Sequence, residues 1–200
     1  MQLTSPSDEF VTIGFATSNG SATAGGDYNA ASGILSFAPG QTSKTVTVLV
    51  NGDRIGEPNE TFVVNLSSPT NAAIADGQGL GTILDDEPRI SIADMTTKEG
   101  NGKKTTLLTF TVTLSAAYDQ AVTMSYRTVD GTATTSDGDY IAKTGTLTFN
   151  PGETTKTITI EAKADNKKES NETFYLDLIN NSSNSLLTKC RGIGTILNDD

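Results

Sequence analysis

Asp139 to Phe174 reads DYIAKTGTLTFNPGETTKTITIEAKADNKKESNETF, and Asp27 to Phe62 reads DYNAASGILSFAPGQTSKTVTVLVNGDRIGEPNETF. The two stretches share a register: Asp139 stands 112 residues after Asp27, and Glu172 stands 112 residues after Glu60. A repeat of this length exceeds the units of solenoids and is one whole domain written twice. Each copy is expected to fold around its own core, with residues 1–87 as the first domain and 88–200 as the second.

The 200 residues leave about 100 for each copy, enough for a β-sandwich of roughly seven strands. The 19 glycines, with abundant Thr, Ser and Asn, separate short runs of Val, Ile, Leu, Phe and Tyr. A net charge of −10 argues against a nucleic-acid partner, which needs clustered Lys and Arg, and favours cations. The single cysteine, Cys190, rules out an internal disulfide and reads as a small half-buried residue near the last strand. No apolar run reaches the length of a membrane span, and residues 1–30 lack a basic segment followed by an apolar one. Neither anchor nor signal peptide is therefore expected, and no direct membrane insertion.

Before a one-residue insertion near Asp137 the copies align with an offset of 111, placing Leu3 on Leu114, Val11 on Val122 and Phe15 on Tyr126. Met1 then falls on Val112, and the first copy lacks the segment that residues 88–111 supply to the second. This reads as a cut through a longer protein.

Residues 11–17 alternate Val11, Ile13 and Phe15 inward with Thr12 and Gly14 outward, the period of a half-buried strand. Asn19-Gly20 and Asp130-Gly131 mark turns. Residues 33–37 and 44–50 flank Ala38-Pro39-Gly40-Gln41, where Pro suits the second turn position and Gly the positive-φ position after it, so a hairpin is expected. The same signal recurs at Asn150-Pro151-Gly152-Glu153. Residues 61–66 and 79–84 close the first copy. In the second, alternation recurs at Leu108–Leu114, Val122–Tyr126, Ile158–Ala162 and Phe174–Leu178, with Gly192–Leu197 as the closing strand. Phe37, Phe62, Phe149 and Phe174 are expected in the cores. No i, i+3, i+4 apolar pattern persists for helical length. The fold class is all-β.

Acidic residues gather at strand ends. The second copy carries Glu99, Asp139, Asp165, Glu169, Glu172, Asp199 and Asp200; the first carries Asp27, Asp53, Glu57, Glu60, Asp86 and Glu87, with Asp85 where Asn198 stands. Counting antiparallel strands puts the Glu99 turn, the loop after Ala162 and the end after Leu197 at one pole. A hard cation takes six to eight oxygens at about 2.3–2.6 Å, and converging acidic loops supply them. Without one, two like charges about 4 Å apart repel by roughly 4 kcal/mol at an effective dielectric of 20. Solvated loop acids account for the spacing equally well.

The pattern resembles the Calx-beta domain, first known from sodium/calcium exchangers and common in large extracellular and bacterial surface proteins. The resemblance rests on Glu99-Gly100, Phe110 to Leu114, Asp130 to Ala133, Asp139-Tyr140, Gly145 to Phe149 and Pro151-Gly152-Glu153. It continues through Asp165 with Glu169, Asn171 to Phe174, Gly194-Thr195-Ile196 and Asn198-Asp199-Asp200. It covers the second copy and all of the first except its start. It implies two tandem immunoglobulin-like antiparallel β-sandwiches with an acidic pole that binds calcium in some members. Carried over by position, the metal ligands are Glu99, Asp139, Asp165, Glu169, Glu172, Asp199 and Asp200 in the second copy, and Asp27, Asp53, Glu57, Glu60, Asp85, Asp86 and Glu87 in the first.

Catalysis is not expected: without His, a Ser or Cys nucleophile lacks its usual base, and zinc lacks its usual ligands. Gly77, Gly79 and Gly81 enter a strand rather than a helix, which removes a nucleotide-loop reading. Three functions remain open. One is a calcium-rigidified structural or adhesive module of an extracellular or cell-surface repeat protein, with neighbouring repeats as partners. The second is a regulatory calcium sensor as in the exchangers. The third is a filament of identical subunits joined by strand complementation at the open edge of the first copy.

Overall fold

The computed structural model describes residues 1–102, 104–165 and 168–199. They form strands with no helix among the described residues. The chain divides into two compact units, one of Met1–Asp53 with Pro58–Asp85 and one of Arg54–Glu57 with Asp86–Asp200.

The first unit carries one four-stranded sheet in the order β2-β1-β3-β4, from β1 (Val11–Asn19), β2 (Ser32–Phe37), β3 (Glu60–Thr70) and β4 (Gln78–Ile83). All pairs are antiparallel, with Val11 opposite Phe37 and Phe15 opposite Leu66. The period-2 pattern buries Val11, Ile13 and Phe37 on one face, with Leu35 and Leu66 packed against them half-buried. A second cluster stacks Tyr28 on Phe62 with ring centroids 4.5 Å apart.

The expected hairpin across Pro39-Gly40 has its turn but not its second strand. Gln41 N–H donates to the Ala38 carbonyl at 2.9 Å, and Gly40 takes φ +80°. Residues 43–50, however, form only isolated bridges, at Ser43 and Val50. The equivalent residues of the second unit, Thr155–Lys163, pair along their whole length with Thr105–Leu114, whereas in the first unit Ser43 bridges Gln2 and Lys44 bonds Met1.

The second unit is a two-sheet sandwich. One sheet runs β10-β7-β5-β12, from β10 (Thr155–Lys163), β7 (Thr105–Leu114), β5 (Arg89–Ile92) and β12 (Leu186–Lys189). The other runs β6-β13-β11-β8-β9, from β6 (Met95–Lys98), β13 (Arg191–Leu197), β11 (Glu172–Ile179), β8 (Val122–Val129) and β9 (Thr144–Phe149). Alternate residues of both sheets fill one core that includes Leu108, Phe110, Phe149, Ile160, Phe174 and Leu176, all fully buried. Phe174 anchors it, stacked on Tyr140 at 4.4 Å and edge-on to Phe110 at 5.9 Å.

The first strand of this unit breaks in two. β5 lies parallel to β12 in one sheet, and after Ala93-Asp94 the chain crosses over so that β6 lies parallel to β13 in the other. The sandwich thus carries parallel pairs where antiparallel ones are expected throughout. Cys190, expected half-buried, is exposed. It is the single residue between β12 and β13, at the point where the chain leaves one sheet for the other.

The Asp-Gly and Asn-Gly turns are held by close approach. A Cβ on Gly131 would lie 2.3 Å from the Thr173 carbonyl oxygen, and one on Gly20 would lie 2.3 Å from that of Thr61.

Candidate metal centre

The acidic pole of the second unit is assembled from four places in the chain. β6 delivers Glu99, whose N–H donates to the Leu197 carbonyl at 2.8 Å and whose side chain is buried. Glu99 Oε1 in turn accepts the N–H of Asp165, just beyond β10, at 3.1 Å. Asp199, beyond β13, accepts the Gly100 N–H at 3.0 Å. Asn198 Oδ1 accepts the Glu169 N–H at 3.0 Å. The turn after β6, the loop after β10 and the segment after β13 therefore converge, as strand counting requires.

Within this pole Asp139, Glu169 and Glu172 come closest, each with a carboxylate oxygen within 4.8 Å of the others. They line a small recess with Glu99, Lys163, Ser170, Ile196 and Asn198. Asp139 is aimed by its own loop: its Oδ2 accepts the Thr134 N–H at 2.6 Å, while its carbonyl accepts the Lys163 N–H at 2.9 Å. Glu172 begins β11, opposite Ile196 of β13, so its backbone is fixed by the sheet.

The electrostatics are those of crowded carboxylates. Burial pushes the Glu172 carboxyl up to about 7, and the charge and hydrogen bonding of Asp139, then the charges of Glu169 and Asp137, add to the effect. A group of this kind holds a proton near neutrality or gives it up to a cation. The donor set is all oxygen, which suits hard cations such as calcium or magnesium and not zinc.

A neighbouring network supports Asp139. The buried Tyr140 donates its hydroxyl to Asp130, which also accepts the Thr135 N–H at 3.1 Å. Burial and the adjacent Asp130 push the Tyr140 hydroxyl well up, and its hydrogen bond holds the Asp130 carboxyl low. Neither Asp130 nor Asp137 is among the ligands expected from sequence. Asp137 belongs to the same loop as Asp139, and that proximity was the only signal available for it.

The first unit repeats part of this arrangement. Asp27 Oδ2 accepts the Thr23 N–H at 2.6 Å and the Thr23 hydroxyl at 2.8 Å, and these bonds hold its carboxyl low. Asp27 and Glu60, the counterparts of Asp139 and Glu172, lie with carboxylate oxygens within 4.8 Å of each other. Tyr28 donates to Asn19 Oδ1 at 2.7 Å, the counterpart of Tyr140 on Asp130. Asp85 N–H donates to Asn59 Oδ1 at 3.1 Å, matching Asn198 on Asn171.

The remaining expected ligands are placed differently. Asp53 is exposed at the end of a segment of the first unit, and Asp86 is exposed at the start of the main segment of the second. Glu57 falls in the short segment grouped with the second unit. Glu87 is buried beside Tyr118, whose hydroxyl donates to it at 3.5 Å. The Tyr118 carbonyl accepts the Gly152 N–H, which puts Glu87 at the Pro151-Gly152 end of β10, opposite the end that carries Asp165. Asp200 lies outside the described residues.

The Calx-beta domain model matches twice, over residues 1–96 and 84–200. Sodium/calcium exchanger 2 of Rattus norvegicus is 30% identical over 188 residues, covering 83% of this chain and 20% of the exchanger. Sodium/calcium exchanger 1 of Canis lupus familiaris is 28% identical over 187 residues, covering 84% and 19%. The chain thus spans about a fifth of the length of these relatives. Among solved structures, the apo-form Calx CBD1 domain aligns at 26% identity and TM-score 0.48 over 57% of this chain and 100% of its own. The calcium binding domain CBD12 of CALX1.1 aligns at 18% and 0.48 over 94% and 87%. With the family model matched along its whole length, the chain belongs to the Calx-beta domain family.

Proposed function

We propose that this chain is a calcium-binding regulatory module whose principal site is the acidic pole of the second unit. The observation that carries the reading is the convergence of Asp139, Glu169 and Glu172 within 4.8 Å, with the Glu172 carboxyl pushed up to about 7. Asp139, Glu169 and Glu172 hold the ion, and Glu99, Asp165 and Asp199 complete the ligand set. Asp27 and Glu60, with Asp53 and Asp85, are the corresponding set within the first unit.

Calcium supplies the positive charge that the cluster lacks. Repulsion among the carboxylates loosens the pole, and the ion removes it, tying together the turn after β6, the Asp139 loop, the loop after β10 and the segment after β13. Stiffening of this pole is the regulatory signal. The exchanger relatives favour this reading over an adhesive cell-surface module, and affinity separates the two. A sensor binds at about 10⁻⁷–10⁻⁵ M, a structural clamp at about 10⁻⁴–10⁻³ M.

Calorimetric titration of the full chain with calcium, repeated on Asp139→Asn and Glu172→Gln, tests the proposal. The expected result is binding in the sensor range, weakened at least tenfold by either substitution. Unchanged affinity in both variants would exclude this site.

A further inference from the structure

The loop between β8 and β9 is closed by hydrogen bonds that lead from the core to Asp139. Tyr140 is buried and stacked on Phe174 at 4.4 Å, which makes its hydroxyl a fixed point. Asp130 Oδ1 accepts that hydroxyl and also the Thr135 N–H, while the preceding amide, that of Thr134, donates to Asp139 Oδ2 at 2.6 Å. Two successive amides are thus divided between two aspartates, and the Asp139 carboxylate cannot turn without giving up a charge-assisted bond. The loop also rests on β11: the Ala133 N–H donates to the Thr173 carbonyl at 2.9 Å, and the Thr173 N–H to the Thr132 hydroxyl at 2.8 Å. Phe174 and Glu172 belong to the same strand. One rigid element therefore fixes Glu172 directly and Asp139 by way of Tyr140 and Asp130.

The first unit builds the same ring from different atoms. Tyr28 is buried and stacked on Phe62 at 4.5 Å, and Asn19 Oδ1 accepts its hydroxyl at 2.7 Å and the Ala24 N–H at 2.9 Å. Asp27 Oδ2 accepts the Thr23 N–H at 2.6 Å. By the repeat offset of 111, Asn19 and Ala24 are the counterparts of Asp130 and Thr135, and by the offset of 112 beyond the insertion, Asp27 and Tyr28 are those of Asp139 and Tyr140. The loop of the second unit is one residue longer, yet all three bonds recur. In each unit a single oxygen accepts both donors, from an amide in one and from a carboxylate in the other. The ring therefore requires an acceptor oxygen at this place and not a charge.

We propose that Asp130 and Tyr140 are positioning residues of the calcium site, which hold Asp139 at the separation from Glu172 at which one cation binds both. Asp130 stands outside the group of carboxylates that lie within 4.8 Å of one another, and its Oδ1 is taken up by Tyr140 and Thr135. The inference rests on the calcium reading and extends it, because affinity then depends on residues outside the ligand set. Polar groups that hold a metal's ligands in place typically account for about ten- to a hundredfold in affinity.

The test is calorimetric titration of the full chain with calcium, at a temperature where circular dichroism shows every variant folded. The binding event followed is the one that Asp139→Asn removes, which assigns it to the second unit. Asp130→Ala is expected to weaken this event by about tenfold or more, and Tyr140→Phe by about threefold or more. Asp130→Asn keeps the acceptor oxygen and should stay within about threefold of wild type. Phe149→Leu, a core change at the Asn150-Pro151 end of the unit, is the control: it should lower the unfolding temperature and leave the affinity unchanged. Asp130→Asn as weak as Asp130→Ala would mean that the charge of Asp130 acts on the ion from a distance, and would overturn the proposal. Unchanged affinity in Asp130→Ala and Tyr140→Phe, or an equal weakening in Phe149→Leu, would overturn it as well. If Asp139→Asn removes no binding event, the calcium reading itself fails and the positioning role falls with it.

Discussion

Replacing Glu172 by Gln removes one charge from the crowded pole while keeping shape and hydrogen-bonding capacity, so in the metal-free chain it is expected to stabilise the second unit near pH 8. Two routes give the magnitude. Two carboxylates 4.8 Å apart at an effective dielectric of 20 repel by about 3 kcal/mol. The shift of Glu172 from 4.5 to about 7 corresponds to roughly the same value at 1.36 kcal/mol per unit. Because the recess opens to solvent, screening reduces this to about 1–2 kcal/mol.

The sign sets the pH window. A carboxyl whose folded value is raised contributes its stability in full below its unfolded value near 4.5 and loses it as pH rises through about 7. Wild type and Glu172→Gln should therefore differ little at pH 4.5. By pH 8 the variant should unfold roughly 4–8 °C higher in chelator. Adding calcium should reverse the order, since only the wild type gains binding energy. Thermal unfolding followed by circular dichroism at both pH values, with and without calcium, reads all of this. A variant less stable than wild type at pH 8 in chelator, or a difference independent of pH, would refute the reasoning.

Two further outcomes are expected. Tyr140→Phe removes the hydroxyl that Asp130 accepts and should cost the second unit about 1–3 kcal/mol in urea unfolding. The loss should fade as pH falls and Asp130, held low by this bond, becomes protonated. Gly131→Ala forces a Cβ to 2.3 Å from the Thr173 carbonyl oxygen and should destabilise by about 1–3 kcal/mol, measured the same way, while Gly152→Ala, at φ +85°, should cost about 1 kcal/mol.

The strands were legible where side-chain alternation reports a buried face: Val11 and Ile13, Leu108 to Leu114, and Phe174, Leu176 and Leu178 stand as the pattern requires, while Asp177, expected outward, is buried and paired with Arg191. The convergence of Glu99, Asp165 and Asp199 followed from counting strand ends. Less visible was anything set by a partner elsewhere in the chain. Residues 44–50 alternate as well as 156–162 do, yet they make only scattered bonds, such as Lys44 with Met1 and Val50 with Tyr28, and form no strand. The crossover at Ala93-Asp94 was not legible, because β5 alternates Ile90 and Ile92 while β6 reads Met-Thr-Thr-Lys, too short and too polar a stretch to assign to either sheet. The Tyr140 hydroxyl on Asp130 was hidden for another reason: a DG turn and a DY pair each have a sufficient local explanation, and only the fold joins them.

That crossover has a mechanical consequence. β6 lies parallel to β13, so tension applied across the second unit between Asp86 and Asp199 draws these two strands along their length in opposite directions. Their hydrogen bonds, running from Met95 opposite Gly194 to Lys98 opposite Leu197, are then loaded together in shear instead of opening one after another like a zip. The Glu99 N–H bond to Leu197 extends the same patch to the acidic pole. The seam that closes the sandwich is thus also the clamp that resists its extension.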